Sequence, residues 1–155
     1  VVNDTNPKYG GRAFSVEITG SNYNHFLGKK IGDSVDGMFI GEGDQSLTGY
    51  RLEITGGSDL TGRPMRPDLG GSGVKSVLIT AGIGYKGDKK VNKKGKIYRY
   101  KYDGLRRRRN LRGNVIGQET RQINLKIVEA GKRPLGVIFG VEEEVPADQS
   151  SGEEE

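Results

Sequence analysis

The sequence contains no cysteine and a single histidine in 155 residues. The missing cysteine excludes a disulfide framework, a cysteine nucleophile and a thiolate zinc site. The histidine, His25, lies between Asn24 and Phe26, with no second ligand or triad partner at a recognisable spacing, so a structural or surface role is expected of it. No apolar run approaches the roughly 18 residues of a membrane-spanning helix. No segment keeps a 3.6-residue apolar stripe, so no long amphipathic helix is expected, and HFLGKKIGDSV holds at most one helical turn. No secretory leader pattern opens the sequence, and a cytoplasmic location is the expectation. Leu, Ile, Val and Phe together number 37, about a quarter of the chain. That lies above the roughly one-fifth level at which disorder becomes the default, so a modest core is affordable in one domain, or one domain and a tail.

Glycine and positive charge are abundant. Glycine occupies 26 positions, far above the average of about 7% and without a collagen period. Many tight turns and short strands follow. Apolar residues alternate with polar ones at Phe14, Val16 and Ile18, at Tyr50, Leu52 and Ile54, and at Ile123, Leu125 and Ile127. VKSVLIT (74–80), the run Val35–Ile40 broken by Gly37, and Val115-Ile116 add further short segments. This two-residue period, with turn residues every 8–12 positions, predicts a mainly β protein built as a small antiparallel β-barrel. The barrel domain is expected over residues 1–134, with a basic arm at 86–112 that leaves it as a long loop or hairpin. Residues 135–155 are expected to form a C-terminal extension, ending in an acidic disordered tail, EEEVPADQSSGEEE.

The net charge of +5 conceals a strong asymmetry. Residues 1–60 carry 5 basic and 8 acidic side chains, residues 61–135 carry 20 and 5, and residues 136–155 carry none and 7. Within 86–112 there are 13 Lys and Arg against Asp88 and Asp103. A solvated charged surface normally mixes signs. A block this one-sided repels itself and points to a polyanionic partner.

Three segments carry the candidate contacts. GGSDLTGRPMRPD (56–68) presents Arg63 and Arg66 on a loop shaped by Gly56, Gly57, Gly62 and Pro64, and a stiff loop loses little entropy when guanidinium binds phosphate. The alternative for this pattern is an ordinary connection. The arm supplies Lys86, Lys89, Lys90, Lys93, Lys94, Lys96, Arg99 and Lys101. It also contains Tyr98, Tyr100 and Tyr102, which either stack on unpaired bases or pack an edge strand. RRRRNLRGN (106–114) brings Arg106, Arg107, Arg108, Arg109 and Arg112 into seven positions. In an extended chain these alternate sides and engage two strands or both walls of a groove, while Gly113 permits close backbone approach. GIGYKG (82–87) matches a dinucleotide-loop pattern, but no amphipathic helix follows it, so it reads as a turn into the basic arm. The acids Asp33, Asp36, Glu42 and Asp44 fall in glycine-rich turns, as turn chemistry favours. Asn3-Asp4-Thr5 matches a glycosylation sequon and, with no secretory leader expected, is read as a chance match.

Several of these motifs, in register, resemble the archaeal and eukaryotic small-subunit ribosomal protein number six family. The family pattern is a GG-x-D-x-x-G-x-PM loop, here Gly56, Gly57, Asp59, Gly62, Pro64 and Met65. A basic stretch ending R-G-x-x-I follows, here Arg112, Gly113 and Ile116, and then a closing strand with Asn124 and Leu125. KIGDSVDG (30–37) fits as well, and the likeness covers roughly residues 1–131. The resemblance implies a small β-barrel docked on ribosomal RNA, neighbouring ribosomal proteins as partners, and no enzymatic activity, cofactor, metal, small-molecule substrate or membrane. KKVNKKGKIYRYKYDG (89–104) is longer than the usual basic turn, so family RNA contacts are not carried onto it. The acidic end lacks the basic, serine-bearing helix of eukaryotic members, and the archaeal type is the nearer match. The alternative is a non-ribosomal RNA-binding or RNA-chaperone β-barrel protein.

Overall fold

The computed structural model describes residues 1–5, 11–41, 43–131, 133 and 135–140, with the side chain of Asp44 excepted. Glu42 and the acidic tail from residue 141 lie outside the described residues.

Nine strands are present among the described residues: β1 (Val2–Asp4), β2 (Arg12–Phe14), β3 (Ser34–Asp36), β4 (Arg51–Asp59), β5 (Val74–Ile79), β6 (Lys89–Lys93), β7 (Lys96–Tyr100), β8 (Arg107–Arg112) and β9 (Thr120–Glu129). Two single-turn helices, α1 (Ser21–Asn24) and α2 (Leu135–Ile138), and two 3-10 turns, Gly37–Phe39 and Gly43–Gln45, complete the regular structure of the described residues. The protein is therefore mainly β. The strands do not close into a ring among the described residues. They form an open five-stranded sheet, ordered β2-β1-β9-β4-β3, and two separate ladders, β5-β8 and β6-β7. The pairing of β1 with β9 is parallel, against an expectation of antiparallel order throughout.

The central pair of the sheet follows from its apolar alternation. Leu52 and Ile54 of β4 are fully buried and oppose Ile127 and Leu125 of β9, while Arg51, Glu53 and Lys126 take the other face. Val2, Phe26, Ile40, Leu47 and Ile116 fill the space above this pair, and each such side chain contributes about 1.5–3 kcal/mol by leaving water. Leu135 and Ile138 of α2 are buried in the same core, and Phe139 stacks on Phe14 with ring centres 4.7 Å apart.

The alternation over Phe14–Ile18 is only partly a strand. β2 ends at Phe14, yet Phe14, Val16 and Ile18 all pack against the core. The apolar run after Gly37 forms a 3-10 turn, Gly37–Phe39, rather than a strand. His25 stacks on Phe39 at 3.8 Å between ring centres. Asp33 closes a turn, its carboxylate accepting the Lys30 N–H at 2.7 Å.

The basic segment divides into two structures. Lys89–Lys93 and Lys96–Tyr100 form a hairpin, and both turn residues, Lys94 and Gly95, have positive φ (51° and 78°). That combination is the requirement of a tight two-residue hairpin turn. Arg107–Arg112 instead pairs with β5 over a second small core of Ile79, Tyr85 and Leu111. Two isolated bridges, Lys30–Val115 and Met65–Arg112, tie the segments before β3 and after β4 to the end of β8 and the residues after it.

Candidate nucleic-acid interface

The glycine-proline loop is held from inside by one carboxylate. Asp59, at the end of β4, is buried. Its Oδ1 accepts the N–H of Thr61 at 3.0 Å, the Thr61 hydroxyl at 2.8 Å and the N–H of Arg63 at 2.8 Å. Burial alone would raise its pKa, but these hydrogen bonds and the nearby Arg112 charge outweigh burial and hold it below the ordinary carboxylate value. The Met65 N–H donates to Gly57 O (2.9 Å), the Arg66 N–H to Arg112 O (3.0 Å) and the Arg112 N–H to Pro64 O (3.0 Å). The loop is thus sewn to the end of β8.

Glycine matters here at two positions for lack of room. A Cβ on Gly57 would overlap the Gln122 carbonyl oxygen, and one on Gly113 the Gly71 carbonyl oxygen. Gly56 has open space and no positive φ; it sits at a register shift between β4 and β9. Gly62 has φ of 79° in the turn beneath Arg63.

Arg112 is the sequence candidate whose placement differs most from expectation. It is 4% exposed. Its Nε donates to Ser72 O at 3.2 Å, its guanidinium pairs with Glu119, and Nη1 lies 3.7 Å from Asp59 Oδ2. With its donors turned inward, Arg112 is an internal strut and not part of a phosphate-binding surface. Arg63 and Arg66 are half-buried. Arg63 lies 3.6 Å from Asp59 Oδ2, and Arg66 makes a bidentate pair with Asp68 at 2.7 and 2.6 Å. That pair favours the charged form of both partners.

The four consecutive arginines remain in solvent. Arg106, Arg107, Arg108 and Arg109 are all exposed. In the ladder, Arg107 opposes Ile79 and Arg109 opposes Val77. Opposed residues share a face, so Arg107 and Arg109 project on the side of the second core, and Arg108 on the other. The Arg109 guanidinium sits 5.8 Å from the ring centre of Tyr85, a buried aromatic in the GIGYKG turn. The glycines of that turn stand out in the sequence, but its tyrosine does not, and neither does Lys75, an exposed cation on β5 without charged sequence neighbours to mark it.

The hairpin gathers the rest. Lys86, Lys89, Lys90, Lys93, Lys94, Lys96, Arg99 and Lys101 are all exposed. Their one close acidic contact among the described residues joins Arg99 to Asp88 at 3.7 Å. Tyr98, Tyr100 and Tyr102 form a continuous row, with successive ring centres 6.5 and 6.4 Å apart. Twelve cations, nine of them in the hairpin and the arginine strand, therefore face solvent almost without counter-charge, while the glycine-proline loop and Arg112 form a stiff joint at the end of that strand. Among the described residues, no group of three or more His, Cys, Asp or Glu is placed to hold a metal ion, and no helix is long and apolar enough to cross a membrane.

Most of the chain is similar to known proteins. The family model described as ribosomal protein S6e matches residues 2–140. The chain is 36% identical over 134 residues to the small ribosomal subunit protein eS6 of Haloarcula marismortui, covering 86% of this chain and 90% of the relative. It is 39% identical to that of Archaeoglobus fulgidus over 134 residues, covering 86% and 91%. With that of Methanocella arvoryzae the identity is 41% over 125 residues, covering 81% and 75%. The chain belongs to the ribosomal protein S6e family.

Proposed function

We propose that this protein is a structural, non-enzymatic constituent of the small ribosomal subunit, located on cytoplasmic ribosomes, and that it binds ribosomal RNA through phosphate contacts from residues 86–109. The observation that carries the RNA contact is the exposure of all twelve Lys and Arg side chains between Lys86 and Arg109. Cations that replace condensed counterions on RNA gain affinity by counterion release, and among these twelve all but Arg99, which pairs with Asp88, do so without first breaking an ion pair between described residues. The glycine-proline loop acts as a rigid mount and orients the arginine strand. Arg63 and Arg66 contribute less, because binding phosphate would require each to leave or share its carboxylate partner.

Residues 1–134 serve as the RNA-binding body and residues 135–155 as an extension whose first turn, α2, seats Leu135 and Ile138 in the core. A barrel-type body is supported by the two bridges that tie the segments flanking β3 and β4 to the end of β8 and the residues after it. Neighbouring ribosomal proteins are the further partners.

Co-sedimentation tests this role. The protein should remain with small subunits after a moderate salt wash and be released only as salt screens the phosphate contacts. Recovery in the free fraction with intact subunits at moderate salt would favour a free-standing RNA-binding or chaperone role.

A further inference from the structure

The tyrosine row on the hairpin is more than a by-product of its strand. Tyr98 and Tyr100 are two residues apart in β7, so they share a face. Tyr102 continues the row just beyond the strand. Cross-strand pairing puts Lys89 opposite Tyr100 and Lys93 opposite Lys96, which places three lysines on the same face. Lys93 Nζ lies 5.8 Å from the centre of the Tyr100 ring. Tyr98 and Tyr102 are exposed at 44% and 59%, and Ile97, on the other face, at 66%. Val91 and Tyr100 on the tyrosine face are half-buried, but no residue of the hairpin belongs to either core, so core packing does not account for three aromatic side chains in a row.

We propose that this face binds unpaired RNA nucleotides by stacking their bases on Tyr98, Tyr100 and Tyr102, while Lys89, Lys93 and Lys96 hold the adjoining phosphates; the inference rests on the RNA-binding role proposed above. The physical case is one of access and spacing. A duplex hides its base faces and offers only grooves and phosphates. Exposed aromatic rings gain from RNA only where bases are unstacked, and they do so with little sequence preference. The ring spacing of 6.5 and 6.4 Å follows the two-residue repeat of a strand. It is about twice the 3.4 Å step of a stacked duplex strand, so the row suits an extended single strand. The lysines select a polyanion over an apolar partner.

The test uses the full chain, fluorescein-labelled oligouridine, and a fully paired RNA of equal charge. Replacing the three tyrosines by Leu should weaken oligouridine binding by about 25-fold if two rings are engaged, at about fivefold each. Duplex binding should change less than about threefold, and the salt dependence should stay the same because no charge is removed. Tyr→Phe at the three positions should restore wild-type affinity. In the unmodified protein, the ring protons of these tyrosines should move upfield on titration with oligouridine, a readout independent of whether any variant folds. Equal losses on single-stranded and duplex RNA, no loss in the Leu variant, or unmoved ring resonances would each overturn the inference while leaving the phosphate-binding role intact. Tighter binding of an oligoglutamate peptide than of oligouridine, lost in the Leu variant, would overturn it in favour of a protein-docking face. Failure of the wild type to bind either RNA would remove the RNA-binding role itself and this inference with it.

Discussion

Arg112 and Arg108 occupy the same face of β8, four residues apart, yet one is buried and the other exposed. Their replacements should therefore have opposite consequences. In Arg112→Met the flexible thioether fills much of the vacated volume, so the cost is mainly electrostatic. Breaking a buried ion pair by removing one partner costs about 3–5 kcal/mol. Two features place this case at the lower end. Asp59 keeps its three hydrogen bonds at Oδ1 and retains Arg63 at 3.6 Å from Oδ2. The side chain of Glu119 is 71% exposed, so its share is screened and small. A loss of about 3 kcal/mol is expected, which lowers Tm by roughly 6–12 °C for a chain of this size. Melting of both variants by circular dichroism, with salt titrations of RNA binding below Tm, separates the roles. Arg112→Met should melt early and keep the wild-type slope of log K against log salt. Arg108→Met should melt like wild type and lose roughly 0.7–0.9 from the slope if it touches phosphate. An Arg112→Met protein with unchanged Tm and a reduced slope would refute the internal-strut reading. The double variant with Asp59→Asn provides a further check, since the cost of Arg112→Met should shrink in that background.

Replacement of Arg106, Arg107, Arg108 and Arg109 by Ala should lower the salt slope by roughly 2–3 if about three of them touch phosphate; His25→Ala, which removes only a ring stacked on Phe39, should leave slope and affinity unchanged. Gly113→Ala forces a Cβ into the Gly71 carbonyl oxygen and should cost more than about 3 kcal/mol, the top of the usual overpacking range, in chemical denaturation. Asp59 has a folded pKa below its unfolded value of about 3.9, so its contribution to stability is complete above that value and disappears as pH falls through the folded pKa. Urea melts across the acid range should therefore fall less steeply below about pH 4 for Asp59→Asn than for wild type.

The parts of this fold that were legible in the sequence are those with a short-range cause. Leu52 and Ile54, and Ile123 and Leu125, alternate with polar residues, and β4 and β9 pair as that alternation requires. The arginine run was legible as an extended, side-alternating segment for the same reason, and it forms β8. Val16 and Ile18 show the limit: their alternation reports an inward-facing side, and it remains inward even though β2 ends at Phe14. Periodicity registers burial; a ladder also needs a partner edge, which lies elsewhere in the chain. The parallel pairing of β1 with β9 joins residues more than 120 positions apart and leaves no local mark. Arg112 was misread for the same reason. Its two carboxylate partners come from the end of β4 and from the turn before β9, and the Met65–Arg112 bridge determines that they meet. Composition distinguishes neither a buried arginine from four exposed ones nor a strut from a contact.

The division of labour among the arginines has a physical logic. Cations crowded on one strand repel one another, and a strand bearing four of them needs an anchor that does not depend on RNA. Leu111 provides the apolar half of that anchor, as one of three residues buried in the second core. Arg112 provides the polar half by neutralising the buried Asp59 and closing the loop onto the strand. The C-terminal third of β8 is thus fixed by burial and the N-terminal part by its ladder with β5, which leaves the side chains of Arg107, Arg108 and Arg109 exposed on a fixed backbone. Preorganised cations lose less entropy on meeting a polyanion than cations on a mobile loop. The hairpin lacks such an anchor: neither of its strands contributes a residue to either core. On the roles proposed above, rigid phosphate contact from β8 and adaptable contact with single-stranded RNA from the β6-β7 hairpin would follow from one difference, whether the strand ends in buried residues.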